Sequence, residues 1–130
     1  RLLELCLVHD LGETFEGDIS APLQPGAEDE KSRQEREAIE RLASILGGPA
    51  AARLRDLVAE YAAGATPEAR VAKAIDKIET IIQHNQGANP PDFDYEYNLG
   101  YGAELPLDAD VLVELRRLVD EGTHDRGRTR

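Results

Sequence analysis

The chain has 130 residues, 41% of them hydrophobic, and its acids outnumber its bases 26 to 15, for a formal charge of −11. That length suits one domain, and the charge excludes a nucleic-acid backbone or an anionic membrane as the principal partner, since both recruit Lys and Arg. A small anionic substrate is not excluded, because a bound divalent cation inverts the local field. With no Trp or Met, two Phe and four Tyr, the core must be built from Leu, Ile, Val and Ala. The single cysteine, Cys6, lies in an apolar run and has no partner for an internal disulfide, so it reads as core. No segment is apolar for long enough to span a bilayer and no signal peptide is read, so the expected location is the cytoplasm.

In chain order, residues 1–13 read as the end of a buried helix, apolar nearly all round and broken after Leu11-Gly12. Arg1 enters helical pattern at once, which leads us to expect sequence upstream of it. Residues 14–29, with two Gly and two Pro and no apolar period, form a loop. From about Asp29 to Leu46 the pattern returns, with Ala38, Ile39, Leu42, Ile45 and Leu46 at three-and-four spacing, and Gly47-Gly48-Pro49 stops it. A shorter helix over 50–63 carries Leu54, Leu57, Val58 and Tyr61 on one stripe. Thr66-Pro67-Glu68 is a strong helix start, and its helix runs to about Gln86 with Val71, Ile75, Ile78 and Ile82 inward. Residues 87–107 are expected to be irregular, as a lid or a dimer contact. Tyr95, Tyr97 and Tyr101 there suit either an interface or a cap on the core. Asp108 is expected to cap a last helix bearing Val111, Leu112, Leu115, Leu118 and Val119, with a frayed tail from Gly122. No segment alternates at period two for long, so the class is all-α.

Two stretches carry chemistry. In Leu7–Ile19, a helix would put His9 and Glu13 on one face and Asp10 roughly 100° round from His9. An unpaired carboxylate at the end of an apolar helix must be ion-paired, hydrogen-bonded or metal-bound. Imidazole and carboxylate together suit a first-row divalent ion, or Mg²⁺ with water in its shell. In the second stretch, Asp76 borders the inward face of its helix and can serve the same cation. Plainer readings stand beside these. His9-Asp10 suits a structural hydrogen-bonded pair, Glu13 a helix-end charge, Asp18 a turn residue, and Asp76 an ion pair with Lys73 or Lys77. Glu79 reads as a solvated charge.

HDLGETFEGDI followed well downstream by AKAIDKIETIIQ resembles the HD-domain metal-dependent phosphohydrolases, closest to their 5′-deoxynucleotidase branch. The resemblance extends to the Pro-containing loop after Asp18, the charged helix start Lys31–Glu37, and Glu60-Tyr61. It implies a single HD domain over 1–130, a bundle of five or six helices around one metal, and a homodimer. It also implies a divalent cation among Mn, Co, Mg, Fe, Ni and Zn. The family's ligand order is His, then His-Asp, then a distant Asp. The pair matches His9 and Asp10, and the distant Asp matches Asp76. The first His is expected on a helix upstream of Arg1; His84 and His124 do not replace it. Glu13 and Asp18 match the extended motif, near the attacking water and the phosphate, with a further cation site possible at Glu13, Asp18 and the Ile19 carbonyl.

The reaction this implies is metal-assisted removal of the 5′-phosphate from a (deoxy)nucleoside monophosphate, with Glu13 as general acid/base and Asp18 placing water or substrate. Lys73, three residues before Asp76, is a candidate to neutralise phosphate, a solvated lysine being the alternative. Rival readings are an HD enzyme acting on phosphodiesters or pyrophosphates, and an impaired HD domain kept as a dimeric helical interaction module. Oxidative two-iron chemistry needs more histidines than the three present.

Overall fold

The structure, a computed structural model, describes residues 1–17 and 28–128. Among these residues there are six α-helices and no strand, in accord with the all-α expectation. They are α1 (Leu2–Val8), α2 (Glu28–Leu46), α3 (Gly48–Ala63), α4 (Pro67–Gln86), α5 (Tyr95–Gly100) and α6 (Asp110–Arg128), with a 3₁₀ turn at Leu11–Glu13. No helix among them is long and apolar enough to cross a membrane. Two compact units divide the chain, Arg1–Ala63 and Gly64–Arg130.

In the first unit α3 packs on α1 and α2, and the 3₁₀ turn packs on α2. Its core is Ile39, Ala43, Ala51 and Leu54, with Val8, Leu11, Leu42 and Val58 against it. Two alanines among four core residues let α2 and α3 approach closely. The helix change falls at the expected glycines: Gly47 and Gly48 take φ +65° and +50°, which side chains other than glycine's resist, and Pro49 lies in the first turn of the next helix. Ile45 and Leu46, expected in the core, are 73% and 55% exposed. The face α2 buries runs through Ala38, Ile39 and Ala43. Arg53 clamps Glu4 at 2.6 Å and Arg55 clamps Glu40 at 2.6 Å, tying α3 to α1 and to α2.

In the second unit α6 packs on α4 and α5 around Ile78, Ile81 and Val119, with Ile82, Tyr101 and Leu115 alongside. Thr66 caps α4 as its sequence requires, its hydroxyl accepting from the Ala69 N–H at 3.2 Å. The buried face of α4 is Ala74, Ile78 and Ile81, whereas Ile75 is 37% exposed. Residues 87–107 are not wholly irregular: Asp94 caps the short α5, accepting from the N–H groups of Glu96 and Tyr97. Arg116 then donates to the carbonyls of Asn98, Leu99 and Tyr101 at the far end. Asp108 does not open the last helix, which begins at Asp110; its carboxylate takes the guanidinium of Arg70. The expected fraying from Gly122 is also corrected. Thr123 is 1% exposed and hydrogen-bonds Asn85 at 2.9 Å, and Arg126 donates to the Gly87 carbonyl. Val111 and Leu118, expected inward, are exposed.

Candidate metal centre

The helix that carries the first ligand candidates is shorter than its pattern. It ends at Val8. His9 keeps helical dihedrals and donates its N–H to the Leu5 carbonyl, but Asp10 turns off at φ −93°, ψ 0°, and Leu11–Glu13 continue as a 3₁₀ turn. Gly12 explains the change of path. It sits so close to α2 that a Cβ there would lie 3.0 Å from the Glu35 Cβ. His9 and Glu13 therefore do not share a face of one continuous helix, as the spacing had implied.

Ending the helix frees the Cys6 carbonyl, which accepts the Nδ1–H of His9 at 2.8 Å. A carbonyl can only accept, so Nδ1 carries a proton, and in the neutral imidazole the lone pair is the one at Nε2. The Asp10 carboxylate oxygen lies 3.0 Å from that atom. Two lone pairs at this distance repel unless a proton or a cation lies between them. Tyr61 of α3 tilts its ring against the imidazole at 5.5 Å, fixing its plane. A neutral imidazole oriented through its other nitrogen, beside a carboxylate, is a donor set that a divalent cation fits. Glu13, about one-fifth exposed, receives Lys31 Nζ at 2.9 Å, with Glu35 3.8 Å from the same ammonium. Asp18 and Ile19 lie outside the described residues. In the second unit, Asp76 is also about one-fifth exposed, with Lys77 Nζ 3.0 Å from its Oδ2.

The HD domain family profile matches residues 1–111. The chain belongs to the HD domain family. It is 36% identical over 86 residues to the 5′-deoxynucleotidase HDDC2 of Danio rerio, covering 66% of this chain and 42% of that protein. It is 40% identical over 83 residues to the Xenopus laevis protein of the same name, covering 64% and 41%. With the 5′-deoxynucleotidase hdd1 of Schizosaccharomyces pombe it shares 37% over 87 residues, covering 64% and 43%. The chain thus spans less than half the length of these curated relatives. No solved structure matches it.

Other polar groups of this HD domain divide by what holds them. Lys73 lies one turn before Asp76, its stem passing over Gly64, where a Cβ would meet its Cε at 3.4 Å. His84 is engaged structurally, its Nδ1 2.8 Å from the Asn98 Oδ1 and its ring edge-on to Phe93. His124 is exposed on α6. Tyr95 caps the core, buried with its hydroxyl bonded to Asn89, while Tyr97 packs on Tyr101 at 5.4 Å. Sequence reasoning offered Lys77 as an ion-pair partner of Asp76, which it is, but did not connect Lys31 with Glu13. For Lys31 the signal was its place in the charged start of α2. For Lys77 it was adjacency to Asp76, which alone says little. Burial works to lower the pKa of Lys77, but its hydrogen bond to Tyr101 and the charge of Asp76 outweigh burial and push it up to about 12.

Proposed function

We propose that this chain is the metal-binding part of a phosphohydrolase that removes the 5′-phosphate from deoxynucleoside monophosphates. In this reading His9, Asp10 and Asp76 hold one divalent cation. The observation that carries it is His9 Nε2 set 3.0 Å from the Asp10 carboxylate with Nδ1 on the Cys6 carbonyl, an arrangement that a divalent cation fits. The names of the relatives supply the substrate class. The cation, when bound, supplies an acidified water and a Lewis acid for a phosphate oxygen. Glu13 exchanges a proton with water or the leaving ribose oxygen, and its pairing with Lys31 holds the carboxylate in place meanwhile. Asp18 orients water or substrate, and with Glu13 and the Ile19 carbonyl it offers a further cation site. Lys73 meets the phosphate, which an acidic protein would otherwise repel. We place the protein in the cytoplasm as a homodimer of single HD domains.

The test is phosphate release from the deoxynucleoside monophosphates by the full-length protein, alongside calorimetric titration with Mn²⁺ or Co²⁺. His9→Ala and Asp10→Asn should weaken the metal at least about 100-fold and abolish release, since loss of a ligand exceeds the usual cost of losing its support. Glu13→Gln should bind metal yet hydrolyse about 10²–10⁴-fold more slowly. A His9→Ala protein that holds metal and turns over as the parent does would end this reading.

A further inference from the structure

Neighbouring residues on a helix point in different directions and do not ordinarily face each other. Lys77 nevertheless returns its ammonium to within 3.0 Å of the Asp76 carboxylate. What bends it back is the chain that follows α5. The ammonium stands over the Tyr101 ring, 5.0 Å from its centroid. Gly102, at φ +70°, lies against the lysine stem so closely that a Cβ there would come 2.8 Å from the Lys77 Cβ. Tyr101 is itself held, by Tyr97 on its face and by Arg116 donating to its carbonyl at 2.8 Å. A lysine left in solvent keeps its rotamer freedom; this one has surrendered it to a clamp made from a different element.

We propose that Lys77 is a positioning residue for the metal, holding one oxygen of Asp76 and so fixing the carboxylate that gives its other oxygen to the cation. The inference rests on Asp76 being a ligand. Partners of this kind fix the orientation of ligating carboxylates, and their loss typically weakens metal binding about 10–100-fold. A lysine that only linked α4 to the Tyr101 loop would affect unfolding and leave the metal untouched.

Calorimetric titration of Mn²⁺ into the full-length protein separates these cases, with the visible spectrum of the Co²⁺ form reporting ligand geometry and a thermal melt confirming each variant's fold. Lys77→Met should bind Mn²⁺ about 10–100-fold more weakly and alter the Co²⁺ spectrum. Lys77→Arg, which restores a cation, should recover most of the affinity. Tyr101→Leu, which keeps the lysine and removes the ring beneath its ammonium, should show a smaller loss in the same direction, and it carries the test if Lys77→Met does not fold. Asp76→Asn separates the two readings. If it loses the metal while Lys77→Met binds as tightly as the parent or tighter, the role of Lys77 is overturned and Asp76 stands as a ligand. If Asp76→Asn binds like the parent, Asp76 is no ligand and the inference falls with it.

Discussion

Arg116 is the side chain on which most of the second unit's irregular backbone depends. It is 11% exposed, pairs with Asp120 at 2.8 Å, and donates to three carbonyls at and after the end of α5. The Asn98 carbonyl also accepts the Tyr101 N–H at 3.2 Å, but a six-residue helix leaves most of its acceptors open. Replacing Arg116 with Met would strand them and the Asp120 carboxylate, and should cost about 3 kcal/mol in a urea titration. Glu13 and Lys31 present the opposite case, a pair at the proposed site. Lys31→Met should leave stability nearly unchanged, since partly exposed pairs contribute about 0–1 kcal/mol. It should slow phosphate release nonetheless, because Glu13 loses its tether. The sequence made Glu13 visible through its motif, but nothing local announced Lys31, which reaches it from another element.

Helices whose ends carry their own chemistry were legible. Thr66-Pro67 starts α4 where it should, and Gly47-Gly48 separates α2 from α3. Thr66→Ala removes the hydroxyl that accepts from Ala69 and should cost about 1 kcal/mol by denaturant titration, with the effect confined to the first turn of α4 in hydrogen exchange. Helices decided by neighbours were not legible. α1 ends at Val8, short of the helix expected to Glu13, and Gly12 beyond it lies against Glu35 of α2. α5 has no apolar period to find, and it exists because Asp94 caps one end and Arg116 the other. α6 outruns its apolar stripe because Thr123 and Arg126 find Asn85 and the Gly87 carbonyl.

Across the whole molecule, charge sets how stability follows pH. Hydrogen bonds from Arg53, Arg33, Arg55 and Arg117 hold Glu4, Glu30, Glu40 and Glu114 below their ordinary value of 4.5. A carboxylate depressed on folding stabilises the native state above its unfolded pKa and loses that contribution as pH falls through the folded value. Stability should therefore hold from neutrality down to about pH 4.5 and decline below it. Because all four pairs are exposed, raising the salt concentration should flatten that decline. A decline beginning well above pH 5 would mean other groups govern it. Within each unit the aliphatic core matters more: Leu54→Ala in the first and Ile81→Ala in the second should each cost about 2–5 kcal/mol in urea.

Composition, apolar spacing and cap residues determined by themselves that the chain is helical and where α2, α3 and α4 lie. Each of these is a signal contained within a turn or two of one helix, and no distant residue is needed to read it. Tertiary structure decided that Lys31 tethers Glu13 and that Tyr101 and Gly102 bend Lys77 onto Asp76. Those outcomes depend on side chains from separate elements meeting at hydrogen-bond distance, and periodicity along one helix carries no information about which element will lie beside it.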